Sequence, residues 1–358
     1  MIAGGGTGGH LFPGVAVAEE LLDQSPDSDV VFVGTERGIE ARVVPELGYP
    51  LELIEVSGIK TVGIWGAIKG VLRIPGSLWQ SRKLLKRLEP DAVVGVGGYA
   101  SGPVVLMARL MGVPTAILEQ NSIPGLTNKI LGKFVHRIFL AFEFTRKFFK
   151  AGKSVLSGNP IRKDIRAALT AGSNKTPSER PRLFITGGSQ GAKAVNEMVV
   201  GAAKLLKDRG IEPVIVHQTG KISHDDTVNG YQEAGIDADV RAFISDMAAE
   251  YRQADLVIAR SGATTVAELG VVGVPAILIP YPFAADNHQE LNAAELAASG
   301  AAVMAKQSEL SAEKLADLLA ERFENRSLLS EMGSAMKAQG RPEAATTVVS
   351  WCLEQAEG

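Results

Sequence analysis

A glycine run ending on an imidazole is the first feature able to do chemistry: Gly4-Gly5-Gly6-Thr7-Gly8-Gly9-His10, entered from a strand-like Ile2-Ala3 and followed by Pro13, which suits a first helical turn. Glycine lets backbone N–H groups crowd an anion, and a helix start adds about half a positive charge. Histidine there brings a group of ordinary pKa about 6.5, fit to act as a base near neutrality. The spacing Gly4-x-Gly6-x-x-Gly9 also matches the dinucleotide fingerprint, for which Glu36 would bind a ribose. His10 sits where a dinucleotide's pyrophosphate would lie, which weighs against that reading. A plainer alternative gives the glycines only a tight strand-to-helix turn.

Two further turns are built on the same plan. Arg260-Ser261-Gly262-Ala263-Thr264-Thr265-Val266-Ala267-Glu268 combines small residues, threonine hydroxyls and a helix start, the makings of a diphosphate site. Glu268, about one turn into the helix, either accepts ribose hydroxyls or complements the helix dipole. Gly187-Gly188-Ser189-Gln190-Gly191-Ala192 precedes another helix, and Lys193 beside it lacks the spacing of a Walker A motif, so ATP hydrolysis is not expected. Asp27-Ser28-Asp29 and Asp237-Ala238-Asp239 have a pattern that can hold a metal on a sugar nucleotide. Both read as turns just before a strand, at the end of a sheet opposite a ligand crevice. His136, His217, His224 and His288 show no ligand spacing with carboxylates or with Cys352. Neither a metal nor another cofactor is expected.

Turns of this kind need strands behind them. Val30–Val33, Ala92–Val96, Thr115–Leu118, Leu183–Thr186, Val214–Val216, Asp255–Ile258 and Ala276–Ile279 are short apolar runs separated by helical patterns. Unbroken apolar strands alternating with helices mean parallel sheets covered on both faces, an α/β fold. Only Met1-Ile2-Ala3 precede the first glycines, so the first strand is expected to be a stub. The pattern pauses at Ser157-Gly158-Asn159-Pro160 and again over the polar 173–181, which marks a domain break. Each half opens on a glycine-rich first turn, so two Rossmann-like domains in tandem are expected, with the ligand in a cleft between them.

The chain of 358 residues fits two domains at roughly 150 residues each. A content of 46% hydrophobic residues excludes a disordered chain, and a net charge of −3 gives no reason to expect a nucleic-acid partner. One cysteine, Cys352, cannot form an internal disulfide, and the start has no signal-peptide pattern, which favours the cytoplasm. The weakly charged Ala92–Leu118 is interrupted by glycines, Pro103 and Pro114, unlike a membrane span of about 20 apolar residues.

Charge is uneven, with seventeen basic against fourteen acidic residues in 1–160 and twenty against twenty-six beyond. No acidic residue lies between Glu55 and Glu89, where Lys60, Lys69, Arg73, Arg82, Lys83, Lys86 and Arg87 alternate with Trp65, Trp79 and aliphatic residues. Such a basic amphipathic stretch, 60–88, fits an anionic membrane surface, or else a solvated helix whose apolar face is core. Lys129–Lys153 mixes six phenylalanines with basic residues and is expected to be mainly core.

Longer strings then carry a resemblance. Gly4–Gly14, Gly97-Gly98-Tyr99-Ala100-Ser101-Gly102-Pro103, Glu119–Lys129, Gly158-Asn159-Pro160-Ile161-Arg162, Gly187–Ala192 and Ser261–Glu268, in that order, resemble the MurG family of bacterial transferases that convert lipid I to lipid II. The resemblance implies a GT-B fold with an acceptor and membrane-facing domain over 1–160, a UDP-GlcNAc domain over 161–341, and a final helix within 342–358 packed back on the first domain. By position it implies that Thr7, Gly8, Gly9 and Asn121 meet the donor sugar and diphosphate. Arg162, Ser189 and the backbone of Ile244 would hold the nucleoside. Ala263, Thr264 and Thr265 would cradle the diphosphate, with Val266 and Ala267 in the same turn, Glu268 on the ribose and Gln289 on the sugar hydroxyls. His10 is the candidate catalytic base, against a role in fixing the loop or acceptor. Partners implied are UDP-GlcNAc, lipid I and the cytoplasmic face of the inner membrane. A nicotinamide-linked oxidoreductase and a non-catalytic sugar-nucleotide binder remain alternatives.

Overall fold

The computed structural model describes residues 1–56, 63–170, 179–188 and 190–357, with the backbone alone for 63–74, 164 and 168–170. It divides into two compact units, Met1–Lys163 with Arg341–Gly358, and Asp164–Gly340.

In the first unit the strands are β1 (Ile2–Gly4), β2 (Phe32–Gly34), β3 (Leu51–Leu53), β4 (Val93–Gly97), β5 (Thr115–Glu119), β6 (Arg137–Leu140) and β7 (Ser154–Leu156). All are parallel, in the order β3-β2-β1-β4-β5-β6-β7. The order reverses between β1 and β4, the place where a parallel sheet opens a crevice at its carboxyl edge. β1 is a stub of three residues, as expected, yet it sits at the centre: Ile2 pairs with both Phe32 and Val94. Its neighbours hold it, not its own length, and the Met1 ammonium donates to the Ala92 carbonyl at 2.9 Å.

Alternation along each strand splits the core into two layers. Leu11, Val15, Phe32, Val94 and Leu118 gather on one face, Val33, Val93, Val104, Ile117 and Ile138 on the other. The helix Ala344–Ala356 joins the first layer, placing Val348, Val349 and Trp351 against helix Gly8–Gln24, with Trp351 edge-on to Phe139 at 6.1 Å.

The second unit repeats the plan with β8 (Arg182–Thr186), β9 (Val214–Gln218), β10 (Ala238–Arg241), β11 (Leu256–Ala259), β12 (Ala276–Leu278) and β13 (Ala302–Met304), parallel in the order β10-β9-β8-β11-β12-β13. Helices Lys193–Asp208 and Ala312–Glu324 pack together over Leu183, Ile185, Leu256 and Ile258. Here the order reverses between β8 and β11, the strands that feed the 187–192 and 260–268 turns.

Two readings from sequence need correction. Asp239 lies inside β10 rather than ahead of it, and its carboxylate accepts from the Arg241 guanidinium two residues on, so an edge strand took in half of a turn-like motif. The phenylalanines of 129–153 are divided: Phe139 and Phe142 are buried, while Phe134, Phe144 and Phe148 are exposed at 47%, 41% and 39%. The exposed rings keep company with cations, Lys147 lying 3.4 Å from the Phe144 centroid and Lys129 5.4 Å from that of Phe148.

Lys60 lies outside the described residues, as does the Trp65 side chain. Over the described part of helix Gly63–Leu88, Ser77, Ser81, Leu84 and Leu85 are buried while Arg82, Lys83, Lys86 and Arg87 face water. Trp79 shares the outer face, 65% exposed, with Lys83 5.9 Å from its ring centre.

Candidate functional site

The glycine-rich turn after β1 takes a path that side chains would block. Gly4, Gly5 and Gly6 all have positive φ (142°, 142° and 89°), and a Cβ on Gly4 would lie 2.1 Å from the Gly97 carbonyl oxygen. The turn after β4 is locked to it: Gly5 N–H donates to Gly97 O at 3.1 Å, and a Cβ on Gly98 would lie 2.3 Å from Gly5 O. Helix Gly8–Gln24 starts from this platform with Thr7 at its cap position, and no side chain caps it. The Thr7 carbonyl accepts from His10 N–H at 3.2 Å, and no side-chain oxygen caps the turn, an arrangement that suits a helix start to an anion.

His10 projects from that first turn. Its Nδ1 is 3.3 Å from Gln120 Oε1, and its ring packs on Gly97, where a Cβ would come within 2.6 Å of Nδ1. Asn121 follows directly, half-buried, its N–H donating to the Glu119 carboxylate at 3.0 Å and its carbonyl accepting from Thr145 Oγ1 at 3.1 Å. Glu119 also accepts from Gly125 N–H at 3.1 Å and Asn128 Nδ2 at 2.9 Å, which closes the 120–128 turn around one carboxyl. Burial pushes that carboxyl up to about 7, against the pull of its hydrogen bonds. Arg162 falls in this first unit, its guanidinium 5.2 Å from the centre of the Phe12 ring.

An acidic residue does meet the glycine turn, but it is Glu40, while Glu36 is exposed. Glu40 is 1% exposed and accepts from Gly6 N–H at 2.6 Å and from both the N–H and hydroxyl of Thr35 at 3.0 Å. Gly5, Gly34 and Gly38 surround it, and a Cβ on any of them would fall within 2.4 Å of its side chain. The nearest signal for this in sequence is an acidic residue closely following Gly34 and Gly38, which a fingerprint search passes over.

In the second unit Ser189 lies outside the described residues, and its turn is held by Gln218. The Gln218 amide donates to Thr186 Oγ1 at 3.1 Å and Gly188 O at 3.2 Å, and its oxygen accepts the Ile244 N–H at 2.8 Å. One buried side chain thus ties the 187–192 turn to Ile244. The N–H of Ile244 is thereby spoken for.

Gly262 caps helix Ala263–Val272 without a side-chain bond, and Thr264 and Thr265 are half-exposed while Val266 is core. Ser261 is fully buried, donating to Gln289 O at 2.7 Å and accepting at its carbonyl from Asn292 Nδ2 at 3.1 Å. That bond brings Gln289, whose side-chain oxygen accepts from Tyr281 N–H at 2.9 Å, beside the 261–265 turn. Glu268 is 7% exposed and sits beside the buried Tyr251, whose hydroxyl is held far above the phenol range by burial first and by the Glu268 carboxylate second.

Each unit therefore gathers motifs past the carboxyl ends of its own strands: Thr7–His10 with Asn121 in the first, and in the second Ile244 tied to the 187–192 turn through Gln218, and Ala263–Glu268 joined to Gln289 through Ser261. What spacing alone did not disclose is the set of holders, Glu40, Glu119, Gln120, Gln218 and Tyr251.

Known proteins resemble this chain along nearly its whole length. Residues 1–140 match the glycosyltransferase family 28 N-terminal domain and 182–348 its C-terminal domain. An Anaeromyxobacter sp. (strain Fw109-5) protein named UDP-N-acetylglucosamine--N-acetylmuramyl-(pentapeptide) pyrophosphoryl-undecaprenol N-acetylglucosamine transferase is 48% identical over 354 residues, 99% of this chain and 92% of that one. A protein of the same name from Syntrophus aciditrophicus (strain SB) is 48% identical over 356 residues, 99% and 97% of the two chains. The crystal structure of Acinetobacter baumannii MurG is similar with a TM-score of 0.84 at 34% identity, covering 99% of this chain and 98% of that one. With both domains matched and relatives this similar along nearly their whole length, the chain belongs to glycosyltransferase family 28 and has its GT-B fold.

Proposed function

We propose that this chain transfers N-acetylglucosamine from UDP-GlcNAc to the C4 hydroxyl of the N-acetylmuramyl group of lipid I, giving lipid II. The observation that carries the reading is His10 on the uncapped start of helix Gly8–Gln24, at the switch point of its sheet, in a chain 48% identical over 354 residues to a transferase so named.

The acceptor oxygen attacks the anomeric carbon from the face opposite the leaving group. One C–O bond forms as the bond to UDP breaks, through an oxocarbenium-like transition state. His10 takes the hydroxyl proton, and the diphosphate leaves with its new charge against N–H groups at Ala263, Thr264 and Thr265. A single preorganised donor of this kind contributes about 2.7–4 kcal/mol. Val266 and Ala267 continue that turn, Glu268 takes the ribose hydroxyls and Gln289 those of the sugar. Thr7, Gly8, Gly9 and Asn121 meet the donor from the first unit. Arg162, Ser189 and the Ile244 carbonyl hold the nucleoside.

The acceptor is lipid-borne, and no described helix is long and apolar enough to cross a membrane. Contact with the cytoplasmic face of the inner membrane is assigned to 60–88, supported by Trp79, Arg82 and Lys83 on an exposed face.

Turnover of labelled UDP-GlcNAc on a lipid-pyrophosphoryl-MurNAc acceptor tests the assignment, and absence of product would refute it. In the same assay His10→Ala lowers kcat by about 10²–10⁴-fold with the donor KM little changed. An unchanged kcat removes His10 from the chemistry.

A further inference from the structure

We infer that Gln120 is a positioning residue for the base: it selects the tautomer of His10 in which Nδ1 carries the proton and Nε2 the lone pair that receives the acceptor's. The inference rests on the reading of His10 as the base.

A chain of fixed donors and acceptors leads there. The Val96 carbonyl, near the end of β4, can only accept, and Gln120 Nε2 donates to it at 2.9 Å. That bond turns Oε1 the other way, toward His10 Nδ1 at 3.3 Å. An amide oxygen has no proton to give, so Nδ1 must be the donor. A neutral imidazole holds one proton, and with it on Nδ1 the lone pair is on Nε2. The opposite amide orientation would set the Gln120 oxygen against the Val96 carbonyl oxygen, two acceptors with no proton between them, at a residue only 2% exposed. Gly97 completes the clamp. Any side chain there would strike the ring, since its Cβ would lie 2.6 Å from Nδ1.

The chemistry explains why an amide serves here. A carboxylate would also fix Nδ1–H, but it would favour the imidazolium before reaction and leave less neutral base. A neutral acceptor fixes the proton without adding charge. As the hydroxyl proton arrives at Nε2 the ring becomes cationic, and the Nδ1–H bond to Gln120 becomes charge-assisted. Its stabilisation therefore grows toward the transition state, the kind of interaction that raises kcat rather than lowering KM.

Histidine-labelled ¹⁵N–¹H correlation spectra of the full chain test this, with the His10 signals assigned by their loss in His10→Ala. The wild type at a pH where the ring is neutral should show the Nδ1–H pattern. Gln120→Met keeps much of the side-chain volume but loses the acceptor. It should move His10 toward the Nε2–H form that free imidazole prefers and cut kcat about tenfold, with the KM for UDP-GlcNAc within twofold of wild type. An Nε2–H ring in the wild type overturns the Gln120 assignment even if Gln120→Met fails to fold. So does an unmoved tautomer in Gln120→Met, or a loss carried by KM alone. Full kcat in His10→Ala overturns the base reading instead, and with it the catalytic part of this inference.

Discussion

Glu40 meets three donors and almost no water, and a charge so placed holds whatever it binds. Its partners are one N–H of the glycine turn and two groups of Thr35, so it fastens the turn that starts helix Gly8–Gln24 to the end of β2. Glu40→Ala leaves the part-buried N–H groups of Gly6 and Thr35 unanswered, each costing up to about 1–3 kcal/mol. The expected result is a drop of several degrees in thermal midpoint together with a raised KM for UDP-GlcNAc. A variant melting with wild type would show the carboxylate to be dispensable. Glu40→Gln should fall between the two, since an amide keeps one accepting oxygen.

At the scale of elements, the 120–128 turn is organised around a carboxyl that folding makes hard to ionise. Burial outweighs the hydrogen bonds of Glu119 and pushes its carboxyl up to about 7 in the native chain, against 4.5 for a carboxyl in water. The native state thus keeps a proton that the unfolded state gives up. Stability from this group is full below about pH 4.5 and falls as pH rises to about 7, where the native carboxyl also ionises. The change is on the order of 3 kcal/mol at about 1.36 kcal/mol per pH unit. Urea unfolding of the wild type and Glu119→Gln across this range checks it: the stability difference, wild type minus variant, should shrink as pH rises. A constant difference would contradict the shifted carboxyl.

The strands at these elements were legible because apolar runs such as Thr115–Leu118 and Leu183–Thr186 are buried on both faces and need no polar alternation. The turns were legible because glycine is the residue that tolerates the φ of Gly4 to Gly6. The holders were not. Gln120 finds His10 across 110 positions and Glu40 finds Gly6 across 34, and local spacing carries no sign of either pairing. Phe134, Phe144 and Phe148 were read inward for a related reason: composition counts apolar rings without telling which way a segment turns them.

Across the whole molecule the excess of basic residues lies in 1–160, and the first unit also exposes Trp79, Leu110, Phe134 and Phe144. A surface mixing rings and cations adheres to anionic lipid with about 1 kcal/mol per cation, and salt weakens it. Sedimentation with phosphatidylglycerol vesicles should show wild-type binding that falls as salt is raised. Trp79→Ser combined with Arg82→Gln and Lys83→Gln should stay in the supernatant while binding UDP-GlcNAc normally. Co-sedimentation equal to wild type would remove this helix from the membrane contact.

Helix Ala344–Ala356 lends Val348, Val349 and Trp351 to a layer whose other buried members lie between Ile2 and Phe139. A ribosome delivers those members first and this helix last. The lobe formed by Asp164–Gly340 is continuous and has all its residues in hand while the earlier one waits. The portion made first is therefore finished last, and a nascent chain stalled before Trp351 would carry an open apolar groove along helix Gly8–Gln24 into the cell.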